Sequence, residues 1–259
     1  MKDVTILDAI ILGIVEGLTE YLPVSSTGHL MVTSALLKLE KTEFLKSFEI
    51  VIQSGAILSV LLIYRDRFFG QFNISFYKKI FWAFLPTALV GLILKKLFDH
   101  MLGSIWIVAA TLIVGGFFLI WMEKQKWFSK NHKSIEDLTL KDCIKLGLFQ
   151  CVAMLPGTSR SGASIVGGLF LGLKKEEATQ FSFFLAVPTL LGASVLKFKD
   201  ILPYLNKDNA LLLFVGWLVS FLMGVVAIKG FIQLVSRSGF IGFGIYRIIA
   251  GLFVFYLLV

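Results

Sequence analysis

Two short segments of this chain hold most of the side chains that could carry out chemistry. The first, from Glu16 to Leu30, reads EGLTEYLPVSSTGHL, and the second, from Leu155 to Ser164, reads LPGTSRSGAS. Together they supply carboxylates, hydroxyls, a histidine and an arginine, which can bind a cation, move protons and bind an anion. The surrounding sequence is strongly apolar, so the polar chemistry is expected at one site assembled from both segments.

The acidic pair in the first segment indicates a cation site. Glu16 and Glu20 are four residues apart and therefore lie on one face of a helix. Two carboxylates facing lipid would be costly, which favours an orientation toward a cavity. Paired oxygen ligands suit a hard divalent cation such as Mg²⁺ or Ca²⁺. The alternative is that the two acids cap the hairpin or satisfy backbone groups.

Hydroxyls follow Pro23 where a second helix is expected to begin. One of Ser25, Ser26 and Thr27 is expected to be the N-cap of that helix. His29 comes three residues after Ser26, close enough on the first turn to exchange a proton with its hydroxyl or with a bound ligand. The alternative is a capping serine beside a packed histidine. The N–H groups of a helix N-terminus favour a phosphate at this position.

The second segment adds a cation flanked by hydroxyls. Arg160 stands between Ser159 and Ser161, and its planar guanidinium suits two-pronged binding of phosphate oxygens. The alternative is a structural salt bridge to Glu16 or Glu20.

Two further charged residues, Glu49 and Arg247, fall inside or at the edge of apolar segments. Glu49 is expected to support the residues that form the site without binding the ligand itself. For Arg247, a structural role and a role at the site are both open.

The composition is that of an integral membrane protein. The 259 residues are 57% hydrophobic and have a mean hydropathy of +0.84, against roughly 45–50% apolar residues in a soluble domain. The net charge of +8 comes from basic residues at the ends of apolar segments, so it indicates membrane topology and no nucleic-acid partner. The predicted spans are Phe48 to Leu62, Ile80 to Leu97, Ile105 to Met122, Phe181 to Leu196, Ala210 to Ile228, and Phe240 to Val259.

The two polar segments lie in hydrophobic stretches that Pro, Gly and hydroxyl residues interrupt, Ile6 to Lys38 and Cys143 to Leu173. Each is predicted to be a re-entrant helical hairpin, because broken backbone is tolerated at membrane depth only where protein buries it or it lines a cavity. Pro23 and Pro156 are 133 residues apart, as are Phe48 and Phe181. One membrane domain is therefore expected to contain two repeats, about 1–125 and 138–259. Gln150 replaces Glu16 in the second repeat, so the chemistry is asymmetric.

Three spans in each half would place the second repeat upside down relative to the first. Lysines and arginines at the segment ends number nine on one side and fourteen on the other, and the richer side is predicted to be cytoplasmic. The fold class is thus an all-α polytopic membrane protein with six transmembrane helices, two re-entrant hairpins and an inverted-topology repeat. The two tips are expected to meet near the midplane, as in transporters of this architecture.

The motifs EGLTEYLPVSSTGH and PGTSRSGAS resemble the two signatures of the bacterial undecaprenyl-pyrophosphate phosphatases, the bacitracin-resistance family. The resemblance covers essentially the whole chain, and Ser164 departs from the Thr usual in that motif. It implies hydrolysis of a polyprenyl pyrophosphate lipid to the monophosphate carrier reused in peptidoglycan synthesis. It also implies a bacterial inner membrane location with a site opening to the extracytoplasmic side. The oligomeric state is left open, a homodimer included.

The same resemblance implies roles for individual residues. Glu16 and Glu20 would bind the divalent metal, and Arg160 the pyrophosphate. Ser26 would be the nucleophile with His29 as general acid and base, although His29 could itself accept the phosphoryl group. The residues expected to bind substrate by hydrogen bonds are Ser25, Thr27, Ser159 and Ser161. The rival reading is a transporter or flippase of polyprenyl phosphate, which needs Arg160 but not the Ser26 and His29 pair.

Overall fold

The computed structural model describes residues 2–70, 73–94, 97, 101, 104–125, 128–130 and 132–257. Within these the chain is helical and forms no strand beyond two isolated bridges, Lys2 with Leu39 and Lys133 with Leu173. Three lysines that enter the charge count, Lys95, Lys96 and Lys126, lie outside the described residues, as does the predicted span end at Val259. The helices are α1 Ile6–Thr19, α2 Ser26–Leu36, α3 Glu43–Ile63, α4 Arg65–Phe69, α5 Ile74–Ile93, α6 Ile105–Glu123, α7 Leu140–Cys151, α8 Arg160–Phe170, α9 Lys175–Ile201, α10 Lys207–Ser238 and α11 Ile241–Tyr256.

Five of these helices are long and apolar enough to cross a bilayer: α3, α5, α6, and the apolar parts of α9 and α10. They coincide with five of the six predicted spans and make this a multi-pass membrane protein. The sixth prediction, Phe240 to Val259, corresponds to α11, which has 16 residues. A helix of that length measures about 24 Å, less than a hydrocarbon core of about 30 Å.

Matching local structures begin the two helical hairpins, α1–α2 and α7–α8. Thr5 and Asp8 form a capping box at the start of α1, and Thr139 and Asp142 form the same box at the start of α7. The N-caps of α2 and α8 are Ser25 and Ser159, with φ of 72° and 78°. These pairs are 134 residues apart, one more than the two prolines. The second hairpin has one residue fewer between its capping box and its proline, and one more between that proline and its N-cap serine.

Each hairpin packs against a long helix from the other half of the chain: α1 contacts α10, and α7 contacts α5. Small residues allow the close approach that membrane helices use for packing. A Cβ at Gly17 would overlap the Ser220 carbonyl of α10, and one at Gly147 would overlap the Ala83 carbonyl of α5. Helices α6 and α11 form a further pair. The two tips therefore meet between helices of both halves.

Aromatic packing fixes the backbone next to the acidic segment. Tyr21 is fully buried, donates a hydrogen bond to the Ala56 carbonyl of α3, and packs edge-on against Phe183 of α9 with ring centroids 5.2 Å apart. Because Tyr21 directly follows Glu20, these contacts set where the Glu20 carboxylate lies relative to α3 and α9.

Candidate active site

The Glu20 carboxylate lies at the centre of the site and joins both hairpin tips. Ser26, the first residue of α2, donates a hydrogen bond of 2.6 Å from Oγ to Glu20 Oε2. Arg160, the first residue of α8, donates from Nη2 at 3.0 Å and from Nε at 3.2 Å to Glu20 Oε1. All three side chains are largely buried. The hydroxyl and the cation are thus each hydrogen-bonded to the same carboxylate, which can accept a proton.

Ser182 of α9 holds the other edge of the Arg160 guanidinium. Arg160 Nη1 donates to the Ser182 carbonyl of α9 at 2.9 Å. Ser164, the position where the family motif usually has Thr, donates from Oγ to Ser182 Oγ at 2.7 Å. Its hydroxyl therefore supports the helix segment that orients Arg160.

The hydroxyls on either side of Arg160 join the two tips. Ser161 Oγ donates to the Leu22 carbonyl of the first tip at 2.6 Å, and Ser159 Oγ lies 3.5 Å from the same oxygen. Ser159 Oγ also accepts the Gly162 N–H as the N-cap of α8. The structure therefore gives Ser159 and Ser161, which the sequence suggested as ligand donors, structural partners in the tip-to-tip contact.

Both ring nitrogens of His29 are hydrogen-bonded to groups other than the Ser26 hydroxyl. Its Nδ1 is 2.7 Å from the Ser25 carbonyl, and its Nε2 is 2.6 Å from the Tyr246 hydroxyl of α11. Because a carbonyl only accepts, Nδ1 carries a proton. The rings of His29 and Tyr246 are stacked, with centroids 5.5 Å apart. The proposed partner of Ser26 is thus bonded elsewhere, and Glu20 is the group that accepts from Ser26.

Glu16 is buried without a partner. It is fully buried in α1, and neither carboxylate oxygen has a hydrogen bond to a described residue. Its acidic neighbours are Glu20 and Glu49, and Arg160 is the nearby cation. The matching residue of the second hairpin, Gln150, instead donates to Thr87 and Thr189 hydroxyls at 3.0 and 3.2 Å. Glu16 therefore presents two unused oxygen ligands beside Glu20.

The carboxylate oxygens beside the two tips fit a hard cation that takes only part of its ligands from the protein. Among the described residues, no group of three or more His, Cys, Asp or Glu side chains is placed to hold a metal ion. Two carboxylates, Glu16 and Glu20, are the available pair. Mg²⁺ commonly uses one or two protein carboxylates and completes its shell with water and phosphate oxygens.

Two cavities border the tips. A polar cavity of about 110 Å³ is lined by Glu20, Ser26, Thr27 and Arg160, together with Gln53 of α3. The N-terminal turns of α2 and α8, whose first N–H groups have no intrahelical acceptor, open into it. A larger apolar cavity of about 450 Å³ lies between α6 and the second hairpin. Leu155 lines both, so the polar and apolar spaces adjoin.

Arg247 is the site residue whose role the sequence left open. It is fully buried in α11 and donates to backbone carbonyls of both tips, Pro23 and Thr158, each at 2.9 Å. No spacing in the sequence indicates this contact, since Arg247 is 224 residues from Pro23. An arginine in an apolar segment without a nearby acid was the one available signal.

Comparison with known proteins identifies the family of this chain. The profile of the family described as bacitracin resistance protein BacA matches residues 9–253, nearly the whole chain. The chain belongs to the BacA family. Proteins named undecaprenyl-diphosphatase are similar to it throughout. That of Bdellovibrio bacteriovorus is 51% identical over 253 residues, covering 97% of this chain and 95% of the relative.

Two other BacA relatives carry the same name. The undecaprenyl-diphosphatase of Flavobacterium psychrophilum is 47% identical, covering 95% of this chain and 93% of the relative. That of Persephonella marina is 46% identical, covering 98% of this chain and 99% of the relative.

Proposed function

We propose that this chain is an integral membrane phosphatase that hydrolyses undecaprenyl pyrophosphate to undecaprenyl phosphate and inorganic phosphate. The observation that carries the proposal is the Glu20 carboxylate, which bonds the Ser26 hydroxyl of one tip and Arg160 of the other. In a BacA family member, this activity recycles the lipid carrier of peptidoglycan synthesis and accounts for bacitracin resistance.

The reaction begins with attack of Ser26 Oγ on the terminal phosphorus of the lipid pyrophosphate. Glu20 accepts the hydroxyl proton, because its Oε2 already accepts the Ser26 hydrogen bond. The bond between that phosphorus and the bridging oxygen breaks, and undecaprenyl phosphate leaves. Water then hydrolyses the phosphoserine, which returns the serine and releases inorganic phosphate. Phosphoryl transfer on His29 is the competing route, and it requires His29 to leave Ser25 and Tyr246.

Charge neutralisation and positioning supply most of the catalysis in phosphoryl transfer. Arg160 exchanges its Glu20 contact for phosphate oxygens, while the N-terminal turns of α2 and α8 direct N–H groups into the same cavity. Thr27 lines that cavity and is an additional donor. Glu16 and Glu20 would hold a divalent cation, Mg²⁺ or Ca²⁺, which when bound neutralises pyrophosphate charge. The apolar cavity beside Leu155 offers the isoprenoid tail a route from lipid.

The membrane arrangement that fits this activity has six spans, with α11 as the shortest, and two re-entrant hairpins in an inverted repeat. Support comes from the repeated capping boxes at Thr5 and Thr139, the left-handed Ser25 and Ser159, and the exchanged packing of α1 on α10 and α7 on α5. The excess of Lys and Arg at one set of segment ends supports an orientation with both termini, and the opening of the site, on the extracytoplasmic side of the bacterial inner membrane.

Phosphate release from farnesyl or undecaprenyl pyrophosphate by the purified protein in detergent tests this function. Release should depend on divalent cation, stop with EDTA, and be lost in Glu20→Gln and Arg160→Ala. The exposed Glu43→Gln and Arg237→Ala serve as matched controls and should retain release. A wild-type protein that binds the lipid and never releases phosphate would refute the enzyme and leave a polyprenyl phosphate carrier.

A further inference from the structure

Arg247 uses its entire hydrogen-bonding capacity on the backbone. A guanidinium has five N–H donors, and the structure provides five carbonyl acceptors. Nη1 donates to Pro23 and Thr158 at 2.9 Å each, Nη2 to Thr111 and Gly157 at 3.0 Å each, and Nε lies 3.4 Å from Leu112. No donor remains for a substrate, so Arg247 does not act by binding the pyrophosphate.

The five carbonyls belong to three separate elements. Pro23 is in the first tip, Gly157 and Thr158 are in the second, and the other two are in α6. Pro23 is three residues from both Glu20 and Ser26 in the sequence, and Thr158 is two residues from Arg160. Arg247 thus holds the backbone beside each reactive side chain, and it does so on both tips with one planar group.

The electrostatic setting excludes a simple ion pair. Arg247 is 1% exposed, and no carboxylate among the described residues pairs with it. An unpaired buried charge carries a large desolvation cost. A neutral polar residue would avoid that cost but could not supply five donors in one plane, and lysine supplies only three from a point charge.

We infer that Arg247 is a positioning residue that fixes the separation of the two hairpin tips, and that the contact of Glu20 with Arg160 depends on it. The kinetic part of this inference rests on the proposed phosphatase function. Conformational measurement tests the positioning itself, whether or not the protein releases phosphate.

Two substitutions disturb Arg247 by independent routes. Arg247→Lys keeps the charge and removes the fork of donors. Gly115→Ala leaves Arg247 intact, but a Cβ at residue 115 of α6 would overlap its guanidinium. The matched controls are Arg237→Lys, at an exposed position near the end of α10, and Gly242→Ala in α11, where a Cβ would meet nothing within 4 Å.

Kinetics should separate positioning from stability. At a temperature where each variant is fully folded, Arg247→Lys and Gly115→Ala should lower kcat by about 10-fold to 100-fold with a smaller change in KM, as misplacement of reacting groups does. Arg160→Lys keeps a cation at that position and should retain measurable release. In that background Arg247→Lys should have little further effect, since both substitutions disrupt the same contact. The controls should match wild type. If Arg247→Lys lowers kcat by the same factor in the Arg160→Lys background as in wild type, the inference is overturned.

Spin-label distances test the tips directly. Labels at exposed Leu36 of α2 and Leu148 of α7, with both native cysteines replaced by alanine, report on the two hairpins. A single narrow distance distribution is expected in the parent, and a shifted or broadened one in Arg247→Lys and Gly115→Ala. An unchanged distribution in folded variants, with kcat unchanged and only the melting temperature lowered, would reduce Arg247 to a stabilising residue. If the distances change in the two variants but the parent releases no phosphate, the positioning role of Arg247 is supported and the phosphatase function is refuted.

Discussion

Glu20 and Arg160 meet across the two hairpin tips, with Nη2 and Nε of the arginine 3.0 and 3.2 Å from one carboxylate oxygen. The other oxygen of Glu20 is bonded to Ser26. The acid therefore keeps the nucleophile candidate and the phosphate-binding candidate adjacent before any ligand enters. A buried pair is costly to break by removing one partner, yet here a phosphate can replace the carboxylate as the partner of Arg160.

Shortening Glu20 tests whether this bridging geometry matters beyond charge. Glu20→Asp keeps the carboxylate but withdraws it by one methylene, so it cannot reach both Ser26 and Arg160. We expect kcat to fall by roughly 10²-fold, as for other misplacements of catalytic groups, and the melting temperature to fall as well, because one buried contact of Glu20 is lost. Release from the pyrophosphate lipid, measured against Glu43→Asp at an exposed position, checks this. A kcat within twofold of wild type would contradict it.

Ser26 should carry the phosphoryl group. Ser26→Ala removes the nucleophile while leaving the N-cap, which is the neighbouring Ser25. Release should fall by about 10³-fold or more, the scale seen when a nucleophile is deleted. Acid quenching with a substrate labelled in its terminal phosphate, followed by peptide mapping, should place the label on Ser26. Label on His29 would instead establish the histidine route.

Glu16 should couple cation binding to stability. Its carboxylate oxygens have no hydrogen-bond partner among the described residues, so Glu16→Gln breaks no contact and should leave the melting temperature of the metal-free protein nearly unchanged. Mg²⁺ or Ca²⁺ should stabilise wild type, by about 2.7 kcal/mol at a hundredfold excess over Kd, and should not stabilise the variant. Thermal unfolding with and without EDTA measures both. Equal stabilisation of wild type and variant would exclude Glu16 as a ligand.

The features that could be predicted from the sequence are those that depend on the local spacing of residue types. The broken hairpins follow from Pro23 and Pro156, and the salt bridge between Glu20 and Arg160 was one of the alternatives left open for that arginine. Five spans were recognised because a run of about 20 apolar residues has the length that a helix needs to cross the hydrocarbon core. The N-cap hydroxyls were also recognisable, although which serine would cap α2 was not.

The remaining contacts depend on tertiary placement. Tyr246, the partner of His29, is 217 residues away, and the five acceptors of Arg247 are backbone carbonyls that leave no mark on residue type. Ser159 and Ser161 were predicted to bind substrate, and their residue types do not reveal that their hydroxyls also contact the Leu22 carbonyl of the other tip. The local pattern therefore brought out the candidate site residues and missed the contacts that hold them in place.

His29 should act through the backbone of Ser25 rather than by carrying a proton. Its Nδ1–H donates to the carbonyl of Ser25, a residue held at positive φ immediately before Ser26. In His29→Asn, the amide nitrogen falls near the position of Nδ1 and can keep this hydrogen bond, whereas leucine cannot. We expect His29→Asn to retain at least about a third of wild-type kcat, against the loss of roughly 10² to 10⁴-fold that removal of a general acid or base causes.

Tyr246 supplies the companion variant. Tyr246→Phe removes the hydroxyl bonded to Nε2 but keeps the stacked ring, so kcat should stay within about threefold if Nε2 carries no proton in the reaction. Tyr256→Phe, at an exposed position near the end of the same helix, is the matched control. The pH profile of kcat should keep its shape in His29→Asn, because in the proposed mechanism Glu20, and not His29, accepts the Ser26 proton. If His29→Asn and His29→Leu both lose the same limb of the pH profile, His29 carries a proton in the reaction and this prediction is wrong.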